Sequence, residues 1–160
     1  MATETKNDQA MRERIIALLK SQPLAVLATQ RDGQPYSSLM AFAYVDDLSE
    51  FVVATSNSTR KHQNICEDAR VSLLVDNRSN SEEDFHAAAA LTILGVARPV
   101  EDHQRDKYQQ LYLKRHPALE KFISGPSVTI FRIEIHHYLL VSRFQNVIEY
   151  HIKDEVDLFS

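Results

Sequence analysis

Glycine is nearly absent from this chain. Only Gly33, Gly95 and Gly125 occur in 160 residues, so neither a G-x-G-x-x-G turn nor a phosphate-cradling G-x-x-x-x-G-K loop can be assembled. A Rossmann-type cofactor site is excluded, and any phosphate must be held by side chains and helix ends. Cysteine is scarcer still. Cys66 stands alone and forms no internal disulfide, which agrees with a reducing compartment. An excess of positive charge is missing as well. With 18 Lys and Arg against 22 Asp and Glu, the formal net charge is -4. No global basic field draws nucleic acid or an anionic membrane, and neither is expected as a partner. No apolar run approaches the roughly 20 residues of a membrane helix. The polar start "MATETKNDQAMRER" carries no apolar signal core. A cytoplasmic location is expected.

What is present is an ordinary globular balance, 44% hydrophobic and 25% charged, in a chain long enough for one domain with a core. Residues 8–21 read as an amphipathic helix. Met11, Ile15, Leu18 and Leu19 share one face at the 3.6-residue period, and Pro23 ends it. Two apolar runs, at about 24–30 and 35–45, flank "RDGQ". Asp32-Gly33 is a hairpin signal because the tight turn needs positive φ. "EFVVAT" is a third strand, residues 59–68 a short helix, and "RVSLLVD" a fourth strand. The polar stretch 77–86 reads as an exposed, mobile loop. "AAAALTILGVARPVE" reads as one long strand or a bulged pair; its alanine run suits helix or strand, and Gly95 marks a bulge or close approach. Residues 102–124 are helical with a break at Pro117. "PSVTIFRIEIHHYLLVSRFQNVIEYHI" returns to strand, with a last hairpin around Gln145-Asn146. Six to eight sequential strands with tight turns favour an antiparallel barrel or sandwich over a doubly wound sheet.

The stretch "VVATSNSTRKHQNICEDARVSLLV" carries the most specific chemistry. Arg60 and Lys61 stand at the start of a short helix, behind the hydroxyls of Thr55, Ser56 and Thr59. A guanidinium fork, an ammonium and the free N–H groups of a helix start suit a phosphate. The plain alternative is a solvated turn. Cations at a helix N-terminus oppose the macrodipole, however, so something else must account for them. Other candidates are weaker. His62 and Cys66 share a helix face, but no further ligands are fixed by spacing, so no metal is expected and Cys66 reads as a small apolar filler. His136 and His137 point to opposite faces of a strand and read as turn or surface residues. "EED" at 82–84 reads as a solvated charge run. Arg143 and Phe144, beside the last turn, suit a ligand or a subunit contact equally. No nucleophile elbow or Cys/His signature occurs.

In this order, "LAVLATQRDGQPYSSLMAFAYV", "EFVVATSNSTRKHQNICEDARVSLLV" and "LTILGVARPVE" closely resemble the pyridoxamine 5'-phosphate oxidase-like superfamily of FMN-binding split barrels. The resemblance covers about residues 20–101. It implies a mainly β fold with flanking helices: one domain over 1–160, with an N-terminal helix at about 8–21 and a six-stranded antiparallel split β-barrel at about 23–152. It further implies a homodimer with FMN at the subunit interface. The implied phosphate grip is Thr55, Thr59, Arg60 and Lys61, with Ser56 beside them. The implied ring contacts are Ser38, Leu39, Met40 and Ala41.

The departures are equally specific. Pyridoxamine phosphate oxidases carry Arg and Lys where this chain has Ser38 and Ala43, and Gln where it has Ala90. Their C-terminal Trp and Arg-x-His are absent. The flavin grip is kept and the grip on the vitamin phosphate is lost. The expectation is an FMN-dependent oxidoreductase of another, unknown substrate, with catalytic residues unassigned. Two alternatives stand beside it. One is a haem-binding or haem-utilisation protein, since His116-Pro117-Ala118-Leu119 echoes a helix of some split-barrel relatives. The other is a non-enzymatic flavin or deazaflavin module.

Overall fold

The structure, a computed structural model, describes residues 6–143 and 146–152. Helix α1 (Lys6–Ser21) precedes the hairpin of β1 (Leu24–Arg31) and β2 (Gln34–Ala41). β3 (Ala43–Tyr44), β4 (Glu50–Ser56), α2 (Arg60–Glu67) and β5 (Arg70–Asp76) follow. The chain continues through α3 (Asp84–Ala87), β6 (Ala89–Pro99), α4 (Arg105–Arg115), α5 (Glu120–Ile123), β7 (Val128–Ser142) and β8 (Asn146–His151). Single 3-10 turns at Asp102–Gln104 and Pro117–Leu119 join the helices of the 102–124 segment, the second of them at the expected break.

All eight strands belong to one antiparallel sheet in the order β2-β1-β5-β6-β7-β4-β3, with β8 added on β7. The two ends of this path, β2 and β3, are separated in the chain by Phe42 alone. A sheet whose opposite edges are one residue apart must curl on itself, and that closes one end of the barrel. The expected strand over 35–45 is therefore two: it breaks at Phe42 as the chain leaves β1 and joins β4. The fold is the expected mainly β split barrel, with eight strands among the described residues rather than six.

Alternation drives the curl. Along β1, Ala25, Leu27 and Thr29 are buried while their neighbours are not, and β5 repeats this with Val71, Leu73 and Val75. The barrel core gathers around Phe42 and Phe51, stacked at 5.4 Å, each adding roughly 1.5–3 kcal/mol by burial. The four expected apolar residues of α1, Met11, Ile15, Leu18 and Leu19, join this core. A second cluster lies outside it, where Tyr108 and Tyr112 of α4 pack on Ala43, Val52, Ala54 and Ile130. Burial in that cluster pushes the Tyr112 phenol up to about 12.

Both turn expectations about glycine hold. Asp32 and Gly33 have φ of 51° and 80°. At Gly95 the register of β6 and β7 shifts, and a Cβ there would lie 2.4 Å from the Glu134 carbonyl oxygen. The shift leaves His136 as an extra residue in β7 between Ile135, opposite Gly95, and His137, opposite Leu94. It buries His136 within the strand instead of leaving it in a turn. The alanine run divides: Ala87 closes α3 and Ala89 opens β6.

Candidate functional site

Beyond Phe42 the two barrel edges diverge, and the seam between β2 and β4 is where α2 sits. Asn64 of α2 is buried and donates to Thr29 of β1 at 3.0 Å. This buried bond fixes the helix across the seam and aims its first turn at β2. Helix α2 starts at Arg60 with Thr59 as N-cap, whose Oγ1 accepts from the His62 N–H at 3.3 Å. Thr59 Oγ1 also lies 2.8 Å from Thr55 Oγ1 and donates to the Ser56 carbonyl at 2.9 Å. Thr55 is buried. Both threonine hydroxyls thus serve the turn itself, while Ser56 and Ser58 pair at its exposed side, 3.1 Å apart. From below, Asn57 N–H donates to the Ser127 carbonyl at 2.8 Å. Thr129 Oγ1 reaches both Asn57 Oδ1 and, at 3.3 Å, His62 Nε2. The turn is rigid before any ligand arrives.

On this rigid turn stand two cations whose charge is not cancelled. Among the described residues neither Arg60 nor Lys61 forms an ion pair or a side-chain hydrogen bond. The Arg60 guanidinium lies 5.7 Å from the centre of the Tyr36 ring on β2, which holds it over the seam. The first N–H groups of a helix lack intrahelical partners, and only that of His62 is taken by the cap. Arg60 and the free backbone donors, with Lys61 next in the chain, thus stand where the helix dipole is positive, an arrangement that fits an anion.

The β2 residues expected along a ring divide by face. Met40 is in the core opposite Ala25, and Ser38 opposite Leu27 faces the same way. Ser38 Oγ is buried on that core-facing side with no hydrogen-bond partner among the described residues. Leu39 is 66% exposed on the other face, and Ala41 shares that face by alternation. Tyr36, absent from the expected set, lies on the Ser38 face. Counting back by two from Ser38 along the strand finds it.

The remaining candidates fall away from the seam. His116 Nε2 is 2.7 Å from the Phe42 carbonyl, and its ring packs against Tyr112. That nitrogen is taken up by the chain's own backbone. Cys66 is exposed, not an apolar filler, with Sγ 3.8 Å from His62 Nδ1. In the loop that reads as mobile, Asp84 accepts from the N–H groups of Ser79, Asn80 and Ser81. These bonds hold its carboxyl below the usual carboxylate range and knot the loop. Arg143 sits in a turn at φ 51°, while Phe144 and Gln145 lie outside the described residues. Among those residues no three His, Cys, Asp or Glu side chains gather as a metal site. No helix is long and apolar enough to cross a membrane.

Comparison with known proteins bears on the fold. Several solved structures share the fold. A heme binding protein from Mycobacterium smegmatis superposes with a TM-score of 0.77 at 18% identity, over 88% of this chain. The match spans only 57% of that protein's own length. A Clostridium acetobutylicum protein related to general stress protein 26, of the pyridoxinephosphate oxidase family, gives 0.71 at 18% identity, over 91% of this chain and 96% of that one. A FAD-binding protein from Mesorhizobium loti gives 0.64 at 18% identity, over 80% and 91%. No curated protein matches the sequence. The family model for pyridoxamine 5'-phosphate oxidase matches residues 11–142, from the buried face of α1 to the end of β7, and the chain belongs to that family.

Proposed function

We propose that this chain binds FMN in the seam between β2 and β4. Arg60, Lys61 and the start of α2 hold the phosphate there, and β2 lies along the ring system. One observation carries the reading: two cations kept uncompensated at a helix N-terminus, on a turn already rigid without them. Such an arrangement costs stability unless an anion completes it. Thr55 and Thr59 act by shaping the turn, and Ser56 borders it. Ser38, Leu39, Met40 and Ala41 of β2 would run alongside the ring. The FAD-binding neighbour and the family membership support this ligand class.

Bound FMN would supply electron transfer, and the protein supplies position and electrostatics. The reading is an oxidoreductase other than pyridoxamine 5'-phosphate oxidase, because Ser38 and Ala43 stand where a substrate-phosphate grip needs cations. Leu24 and Leu39, exposed by 44% and 66% on paired strands, form with Val26 an outer apolar face for a second copy. A cytoplasmic homodimer is the proposed form.

The test is an absorbance spectrum of the purified chain, then titration with FMN and separately with haemin. Bound flavin bands, and FMN binding weakened by Arg60→Ala, support the reading. A colourless protein that ignores FMN overturns it. A Soret band lost in one histidine variant transfers the seam, or another face, to haem, as the Mycobacterium smegmatis neighbour's description suggests.

A further inference from the structure

Among the described residues strand β8 pairs with β7 alone, and on the outer face of that pair two histidines meet. His137 and His151 are directly opposite in the register. Side chains at such positions have Cβ atoms only about 4.5–5.5 Å apart. The two rings stand edge to face with centroids 4.4 Å apart, and Nδ1 of each points at Nδ1 of the other, in contact. On its far side, His151 Nε2 is 3.2 Å from the Glu149 carboxylate. Glu149 lies two residues away on the same strand, so it shares the face.

On His151 the Glu149 carboxylate lies against Nε2, and the other ring nitrogen, Nδ1, faces His137. A carboxylate that fixes one imidazole nitrogen so that the other can donate its lone pair is the outer-shell arrangement of metal-ligating histidines. We infer that His137 and His151 form a binding site for one divalent transition-metal ion, such as Zn2+ or Ni2+, with Glu149 orienting His151. The ion sits between the two Nδ1 atoms, each neutral imidazole binding through that lone pair and keeping its one proton on Nε2.

The fit is mechanical as well as chemical. Metal–nitrogen bonds of about 2.0–2.1 Å in tetrahedral geometry set the two nitrogens about 3.3 Å apart, so the rings need only part slightly. The His151 side chain is 46% exposed, which lets its ring swing and a hydrated ion enter. Opposite His137 on β6 stands Leu94, an apolar neighbour that brings no competing cation. Water fills the remaining coordination positions. The ion would staple the terminal strand, whose residues are mostly exposed, onto the barrel. The site is remote in the fold from the α2 turn and does not depend on FMN.

The experiment is calorimetric titration of the untagged, chelator-treated full chain with NiCl2 and with ZnCl2. The expected result is one ion per chain with a Kd in the micromolar range. His137→Ala and His151→Ala should each weaken it at least tenfold. Glu149→Gln should weaken it about tenfold, the usual cost of losing such a carboxylate. Cys66→Ser should leave it unchanged, although that thiol also lies against an imidazole. Far-ultraviolet circular dichroism checks the fold of each variant, and His151→Ala, on an edge strand, is the variant least able to disturb it. No binding below millimolar concentration in the wild-type chain overturns the proposal. So does binding that survives both histidine variants or disappears with Cys66→Ser.

Discussion

Arg115 and Arg60 each lie against aromatic rings, yet their surroundings assign them opposite tasks. Arg115 is half-buried between Phe42, at 4.5 Å from its ring centre, and Tyr44, at 5.2 Å. Its guanidinium donates to the carbonyls of Leu19, at 2.5 Å, and Gln22, at the end of α1. Every element it touches belongs to the frame: the last turn of α1, the bend at Phe42 and its own helix α4. Arg60 has one ring beneath it, Tyr36, and no hydrogen-bond acceptor among the described residues. One arginine closes the structure where the barrel edges meet. The other is held open where they part. A cation whose donors are consumed by carbonyls is structural; a cation fixed in place with its donors unspent has been prepared for something outside the chain.

The largest effect should follow from removing the structural member. Arg115→Ala loses two charge-assisted hydrogen bonds, worth roughly 1.5–3 kcal/mol each, and contacts with two rings. It also leaves the α1 carbonyls partly unsatisfied. A loss of about 3–5 kcal/mol is expected from urea unfolding, with FMN affinity unchanged in the protein that remains folded. A midpoint equal to that of wild type would erase the contrast. Arg60→Ala should do the reverse. FMN affinity should fall about 10- to 150-fold, the equivalent of roughly 1.5–3 kcal/mol. Unfolding of the ligand-free chain should stay within about 0.5 kcal/mol of wild type, or improve slightly as a cation leaves the helix N-terminus. A destabilised chain with intact FMN binding would make Arg60 structural too.

How legible each region was differs for a physical reason. The α2 turn is local: the hydroxyls, the cap and the two cations lie within seven residues, so order in the chain fixed their meeting. The Arg115 cluster is not local. It joins residues 93 and 96 positions apart in the chain, and no periodicity reports such a distance. The same holds for His137 and His151, whose strands meet through register. His136 was misjudged because a bulge adds one residue to β7 and breaks the alternation on which its face was assigned. The break at Phe42 was hidden for a related cause: "LMAFAYV" is evenly apolar, so nothing marks where one pairing partner is exchanged for another. Spacing brings the threonine hydroxyls together without saying which acceptor they choose; in the structure they bond to each other and to the turn.

Tyr36 sharpens the comparison by a smaller amount. Tyr36→Leu keeps an apolar side chain on β2 and removes the ring face below Arg60. A contact of this kind is worth roughly 0.5–1 kcal/mol at an exposed site, so FMN affinity should fall about two- to fivefold by fluorescence titration. An unchanged affinity would mean that Arg60 is steered by the turn alone and that the ring is incidental.

Arg70 supplies the intermediate case and the smallest effect. It is exposed like Arg60 but paired like Arg115, with Asp68 taking its Nε at 3.0 Å and Nη2 at 2.6 Å. The hydrogen bonds from Arg70, with help from Gln30, bring the Asp68 carboxyl down to about 2 from its ordinary 3.8. The ionised form is therefore favoured in the folded chain. Its contribution is complete above the unfolded value and is lost as pH falls from about 4 through 2. Because the pair is open to solvent on the Arg70 side, water and salt screen it, and the loss should be under about 1 kcal/mol. Asp68→Asn should remove that part of the acid limb from a plot of unfolding free energy against pH, and raised salt should flatten the wild-type curve towards it. An acid limb identical in both chains would show that Arg70 gains nothing from its partner. Arg60 and Arg70 would then differ in geometry but not in energy, and an unpaired surface cation would by itself be poor evidence for an anion site.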